Sequence, residues 1–270
     1  MVCSNVEDIF KQIQSLRKNY NTITNCFIDY SVLKNKIQSQ AIYTYIYNEN
    51  IYFIEPKDDL KYLYFYCKSI IELQEVDELI KINNIDGTIV INIVIDIRQN
   101  IDNYMTVLEK SEFKYYKKYL KKQVVNNNII NYEKSLFIGF AEEVDNYEIF
   151  EMLNNTFDKF SDFLPELTEI NELIKNNNIL IIKPKNEILG FLIFEDKLKT
   201  SYLRALCIKK EYRNDGLGYK LLGNYLNIHK ERTKILTLWV ESTNINALKL
   251  YERFGYKDSA LENHIFIYNT

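Results

Sequence analysis

The chain has 270 residues, 47% of them hydrophobic and 26% charged, with a formal net charge of −3. That is enough apolar material for two globular cores, and the slight acidity gives no electrostatic case for a nucleic-acid binder. The Gly 7 and Pro 3 counts argue against long flexible linkers, and Cys 4 with His 2 and no Cys-x-x-Cys spacing argue against a zinc site.

The opening residues, Met1-Val-Cys-Ser-Asn-Val-Glu-Asp8, lack the apolar core of an export signal. The expected setting is therefore cytoplasmic, with Cys3, Cys26, Cys67 and Cys207 as reduced, mostly buried thiols. Apolar spacing at Ile9, Ile13 and Leu16 predicts a helix over 8–20. Residues 41–54 read as a hairpin around Asn48-Glu49-Asn50. A strand over 62–67, a helix over 70–82, a strand over 89–97 and a helix over 100–110 follow. The apolar run 88–97 is too short to span a bilayer and is interrupted by Asn92 and Asp96. Lys114 to Lys122 interleaves lysines with tyrosines; it reads as an amphipathic segment with a solvated face rather than a base-stacking patch. Asn126-Asn-Asn128 breaks the pattern, which places a domain boundary at 127/128.

The same order then recurs. A strand is expected over 136–141, helices over 147–157 and 166–175, and a hairpin over 179–195 around Pro184-Lys-Asn186. Strand 201–208, helix 216–229, strand 235–240, helix 245–254 and strand 265–268 complete it. Tyr62-Leu-Tyr-Phe-Tyr-Cys67 aligns with Tyr202-Leu-Arg-Ala-Leu-Cys207 at an offset of 140, and Thr106–Phe113 aligns with Lys249–Tyr256 at 143. Near-equal offsets close to half the chain length point to a tandem duplication. The expected fold class is α/β (α+β), a mixed, mostly antiparallel central sheet flanked by helices, in two tandem copies.

Five of the seven glycines lie after residue 189, and two of them sit in Arg213-Asn-Asp-Gly216-Leu-Gly218 between a strand and a helix. Such a turn lets backbone N–H groups converge at a helix N-terminus, an anion site suited to phosphates. It is neither the dinucleotide fingerprint nor a P-loop.

The stretch Leu206-Cys-Ile-Lys-Lys-Glu-Tyr-Arg213-Asn-Asp-Gly216-Leu-Gly218-Tyr-Lys-Leu-Leu222 resembles the coenzyme A loop of the GNAT family of N-acetyltransferases. The stretch Asn244-Ile-Asn-Ala247-Leu-Lys-Leu250-Tyr251-Glu-Arg-Phe-Gly255-Tyr256 resembles the family's second signature. The resemblance is firm from Ile179 onward. It implies a GNAT domain over 128–270 and, through the duplication, a degenerate copy over 1–127 that lacks the loop. Its co-substrate would be acetyl-CoA, with no metal. Backbone N–H groups of Asn214, Asp215, Gly216, Leu217, Gly218 and Tyr219 would hold the pyrophosphate, with Arg213 opening the loop. The strand Leu206-Cys207-Ile208 would pair with the pantetheine arm as if it were an added strand. An N–H near Leu206 would polarise the thioester carbonyl. Asn244 would hydrogen-bond the pantetheine, and Tyr251 would be the general acid protonating the departing thiolate.

Each assignment has a plainer alternative: a tight turn at Gly216 and Gly218, a helix N-cap at Asn244, a core aromatic at Tyr251, a buried thiol at Cys207. His229 and His264 show no evident carboxylate partner. Glu241 and Glu195 are open as general base, and none is assigned. Asp215 departs from the family pattern by placing a negative charge at the pyrophosphate loop. By the offsets, Val76, Glu78, Leu108 and Glu112 stand in the first half where Gly216, Gly218, Tyr251 and Gly255 stand in the second.

The leading expectation is acetyl transfer to a primary amine, carried by a small molecule or a peptide. The partners expected are that acceptor, no nucleic acid and no membrane, in a chain compatible with a monomer. A non-catalytic acyl-CoA-binding module and an aminoacyl or peptidyl transferase of the paired-GNAT kind remain the alternatives.

Overall fold

A computed structural model describes residues 5–125, 137–230 and 234–269. The boundary expected at 127/128 lies outside the described residues. The elements are α1 (Val6–Arg17), β1 (Ile23–Thr24), α2 (Tyr30–Gln38), β2 (Tyr43–Tyr47), β3 (Asn50–Lys57), β4 (Leu60–Cys67), α3 (Val76–Ile82), β5 (Thr88–Asp96), α4 (Asp102–Lys110) and β6 (Lys114–Val125). They continue as β7 (Ile138–Phe140), α5 (Asn146–Thr156), α6 (Leu167–Lys175), β8 (Ile179–Ile182), β9 (Gly190–Lys197), β10 (Thr200–Ile208), α7 (Leu217–Ile228), β11 (Ile235–Glu241), α8 (Ile245–Arg253) and β12 (Lys257–Asn269).

The chain forms two compact units. Unit 1 comprises Met1–Lys118 and Leu261–Thr270; unit 2 comprises Tyr119–Ala260. In unit 1 the strands run β2-β3-β4-β5-β12, antiparallel except for the β4–β5 pair. In unit 2 they run β7-β8-β9-β10-β11-β6, antiparallel except for β10–β11. Unit 1 thus takes one strand from the far end of the chain, Leu261–Asn269 pairing with β5, whereas unit 2 is continuous and its first strand, Tyr119–Val125, pairs with β11.

Helices cover both faces of each sheet because each carries one apolar stripe. In α1, Ile9, Phe10, Ile13 and Leu16 are buried, and Asn5 caps the start by accepting from the Glu7 N–H at 3.0 Å. They join Leu33, Phe53 and Tyr66 on one face of unit 1, while Tyr52, Phe65, Leu79, Leu108 and Phe266 fill the other. In unit 2, Ile149, Leu153, Ile170, Phe191 and Cys207 form the core beneath α5 and α6. Leu203, Leu221, Tyr225, Leu238 and Tyr251 form the core beneath α7 and α8.

The duplication is visible in single residues. At the end of α4, Glu112 takes φ +64° and the Phe113 N–H returns to Leu108 O at 2.9 Å. At the end of α8, Gly255 takes φ +79° and the Tyr256 N–H returns to Tyr251 O at 3.1 Å. These matched left-handed helix ends sit at the 143-residue offset read from the sequence. The lysine-rich run is strand β6: Lys122 is buried against Asp258 at 2.8 Å, and Lys118 reaches Glu262 at 3.3 Å. Among the described residues no helix is long and apolar enough to cross a membrane.

Candidate active site

The site begins where two parallel strands part. β10 and β11 pair only from Thr200 to Leu203 against Ile235 to Leu238, whereas β10 stays paired with β9 through Ile208. The register against β9 shifts between Leu203 and Ala205, a bulge at Arg204. A bulge bends a strand and turns its later residues over. Beyond it, Ala205 and Cys207 bury their side chains under α5 and α6, while Leu206 and Ile208 turn theirs towards α7 and α8. The backbone follows suit. Cys207 O lies against β9, close enough that a Cβ on Gly190 would stand 2.6 Å from it, and Ile208 O faces the other edge. By the alternation of an antiparallel ladder, Leu206 shares that outward edge with Ile208. Among the described residues no strand pairs with this edge beyond Leu203.

The edge leads into a loop shaped for an anion. Arg213 Nε donates to Ile208 O at 3.0 Å, tying the loop back to the strand end. Asn214 and Gly216 take φ +73° and +74°, and Gly216 is the N-cap of α7. The first helical bond is Lys220 N–H to Gly216 O at 3.0 Å, so the N–H groups of Leu217 and Gly218 precede the helical ladder. Arg213, Asn214, Asp215 and Gly216 are all exposed. Left-handed residues alternating along such a turn aim backbone N–H groups to one side. Gly218 packs close: a Cβ there would stand 3.5 Å from Leu250 Cδ2 and 3.6 Å from Leu206 Cδ2, bringing loop, β10 and α8 together. The Tyr219 ring lies 4.6 Å from that of Phe254.

Helix α8 brings Tyr251 into the core that includes Leu203, Leu238 and Val240 and reaches Leu206 and Ile208. Burial, and then the neighbouring Tyr202, push the Tyr251 phenol well above its ordinary value of 10.0. The group therefore keeps its proton at neutral pH, so it is present as the proton-bearing form that a general acid needs. Asn244 is the N-cap of α8, its Oδ1 accepting from the Ala247 N–H at 3.1 Å. Its exposed amide NH2 takes no part in that cap. Apart from Asn244 at the head of α8, the sequence-predicted residues thus fall into two sets. Leu206, Ile208, Arg213, Asn214, Asp215, Gly216, Leu217, Gly218 and Tyr219 share one edge-and-loop surface, with Tyr251 beneath it. Cys207 turns away: its thiol is buried, lies 3.5 Å from Thr156 Oγ1, and is pushed upward by burial.

Sequence reading missed the residues that bridge the opening on the opposite face. Arg204 donates to Glu195 at 3.1 Å, to Glu169 at 2.5 Å and to Phe163 O at 2.9 Å. On β6, the Tyr119 hydroxyl meets Ser161 Oγ at 2.8 Å and Asp162 Oδ1 at 2.9 Å. The α5–α6 loop therefore ties to β10 at Arg204 and to β6 at Tyr119. Arg204, a charged residue within the otherwise apolar run 202–208, was the available signal. Of the two carboxylates left open as base, Glu195 holds Arg204, and Glu241 accepts from Thr243 Oγ1 at 2.8 Å. A cavity of about 770 Å³ lies at the far end of β9, lined by Glu169, Glu172, Phe194, Glu195 and Asp196. Both histidines have the carboxylate partner that the sequence did not reveal: His229 Nε2 lies 2.9 Å from Asp196, and His264 Nε2 lies 3.1 Å from Glu262. Among the described residues no group of three or more His, Cys, Asp or Glu is gathered for a metal ion.

Comparison with known proteins gives the family of the chain. The model of the acetyltransferase (GNAT) family matches residues 146–256. The ribosomal protein bS18-alanine N-acetyltransferase of Haemophilus influenzae is 30% identical over 100 residues, covering 34% of this chain and 67% of the relative. A GCN5-related N-acetyltransferase structure from Sphaerobacter thermophilus aligns with a TM-score of 0.62 at 12% identity, over 84% of this chain and 80% of its own. A tandem GNAT protein from the clavulanic acid biosynthesis pathway aligns with a TM-score of 0.61 at 6% identity, over 98% of this chain and 96% of its own. At these identities the two structures speak for the fold alone.

Proposed function

The chain belongs to the acetyltransferase (GNAT) family and is an acyltransferase of that type, and from that premise we propose that unit 2 transfers an acetyl group from acetyl-CoA to a primary amine by direct attack. The observation that carries the reading is the β10 edge left open beyond Leu203, ending in a loop with Asn214 and Gly216 left-handed at the start of α7. The outward backbone groups of Leu206 and Ile208 are spaced to hydrogen-bond the amides of a pantetheine arm, as an added strand does. The N–H groups of Asn214 to Tyr219 would meet the pyrophosphate, and the Asn244 amide would donate to the arm. Asp215 is exposed at this loop, as are Arg213, Asn214 and Gly216.

The chemistry then needs little from the side chains. The amine lone pair adds to the thioester carbonyl, whose oxygen gathers charge that the Leu206 N–H stabilises. Collapse breaks the carbon–sulfur bond. Tyr251 gives its proton to the sulfur and recovers one from solvent, while the amine releases one proton to solvent. Positioning supplies most of the acceleration. The Haemophilus relative is named for an alanine acceptor in a ribosomal protein, which favours a peptide α-amine over a small-molecule amine as the first acceptor class to test.

The test is thiol release from acetyl-CoA with a panel of peptide and small-molecule amines. At least one class should release thiol, and Tyr251→Phe should lower kcat by about 10²–10⁴-fold with acetyl-CoA affinity unchanged. Thiol release by Tyr251→Phe at the wild-type rate would remove Tyr251 from the mechanism.

A further inference from the structure

Unit 1 repeats the parting of the strands and then closes it. β4 and β5 pair in parallel only from Leu60 to Tyr62 against Thr88 to Val90, as β10 and β11 do from Thr200, which lies 140 residues after Leu60. Beyond that point the edge of β4 is not open. Ile23 and Thr24 pair with Cys67 and Tyr66 as β1, a strand supplied by the α1–α2 loop. Thr24 Oγ1 donates to Phe65 O at 2.7 Å. The buried Asn25 uses its side chain as a surrogate peptide group: Nδ2 donates to Leu63 O at 2.9 Å, and Oδ1 accepts from the Phe65 N–H at 2.8 Å. The Cys26 N–H returns to Thr24 Oγ1 at 3.0 Å, and the Tyr66 hydroxyl donates to Cys26 O at 3.2 Å. The outward backbone groups of Leu63, Phe65 and Cys67 are therefore met by the chain itself.

We propose that residues 23–26 are a built-in plug, occupying in unit 1 the strand edge that unit 2 leaves open, so that unit 1 is shut to acyl-coenzymes and the chain holds one coenzyme site. The equivalent α5–α6 loop of unit 2 does the opposite. It touches β10 through the Arg204 side chain, and among the described residues no strand pairs with the β10 edge beyond Leu203. The supporting differences all run one way. The β3–β4 ladder has no register shift, so no bulge splays β4. Val76, the counterpart of Gly216, is buried at the start of α3 and is not left-handed. Leu108, fully buried, stands in place of Tyr251. A segment that already bonds Leu63 O and both backbone groups of Phe65 leaves an incoming pantetheine amide without those partners, and displacing it exposes buried polar groups. The plug rests on unit 1 alone; that the open edge of unit 2 takes a coenzyme rests on the reading above.

The test is site-resolved amide exchange on the full chain, with and without acetyl-CoA. In the free protein the Phe65 amide should be protected, and Asn25→Ala should speed its exchange at least about tenfold. Thr24→Val, a milder change, should act in the same direction by less if Asn25→Ala fails to fold. Adding acetyl-CoA should slow exchange in 204–208 and 214–220 while leaving 22–26 and 60–67 unchanged. Fast Phe65 exchange in the wild type, or coenzyme-dependent change in 22–26 or 60–67, would overturn the plug. If acetyl-CoA alters no segment, the coenzyme reading of unit 2 falls, and the plug still stands or falls on the Phe65 amide.

Discussion

At Gly190 an added Cβ would stand 2.4 Å from Ile208 Cδ1 and 2.6 Å from Cys207 O. The second contact is with backbone, which cannot swing aside, so the methyl must push β9 and β10 apart where the open edge ends at Ile208. Gly190→Ala should cost about 1–3 kcal/mol, read as a lower denaturant midpoint. Gly218→Ala, whose Cβ would meet only ordinary contacts from 3.5 Å, should leave the midpoint near that of the wild type. Equal stability of Gly190→Ala and wild type would show that the strands yield freely. Much of the site was legible at this scale, because a left-handed turn requires glycine at 216 and the Tyr251 and Asn244 spacings lie within one helix. The direction each β10 residue faces was not legible. It depends on the bulge at Arg204, which is set by the register against β9 rather than by local sequence. The histidine partners were hidden likewise, His229 meeting an aspartate 33 positions away.

Among the elements, β12 illustrates what a strand's neighbours do to its chemistry. It runs 13 residues, where sequence pattern alone supported only 265–268, since its first half alternates without strong apolar residues. His264 lies on it, buried, with Glu262, Lys118 and the Tyr115 hydroxyl around the ring. Burial pushes the imidazole below its ordinary 6.5, with Glu262 opposing. A histidine whose value is lower folded than unfolded takes up a proton on unfolding. Its contribution is thus complete above 6.5 and declines as pH falls through that value. Between about pH 7.5 and about pH 5.5 the wild type should lose more stability in denaturant melts than His264→Gln. Equal losses would mean that the ring titrates alike in both states. The elements missed from sequence, α2 and β1, are short: α2 buries only Leu33 and Ile37, and β1 has two residues. Neither length sustains a period, and β1 is a strand solely because β4 offers it an edge.

For the whole molecule, two copies of one fold were legible because the same residue order recurs at offsets of 140 and 143. The return of the last strand to unit 1 was not. Pairing Leu261–Asn269 with Thr88–Asp96 joins segments in opposite halves of the chain, and hydrophobic alternation says that a strand exists without naming its partner. The asymmetry between the copies matters most for function. Unit 2 keeps the open edge, the left-handed loop and a buried tyrosine; unit 1 replaces them with its own strand, a valine and a leucine. The most direct measurement is calorimetric titration of the full chain with acetyl-CoA, beside Gly216→Glu, which places a side chain and a negative charge in the loop. The wild type should bind one equivalent at about micromolar strength, and the variant should bind none. A wild type that binds nothing, or a Gly216→Glu that binds like the wild type, would contradict the placement of the coenzyme site.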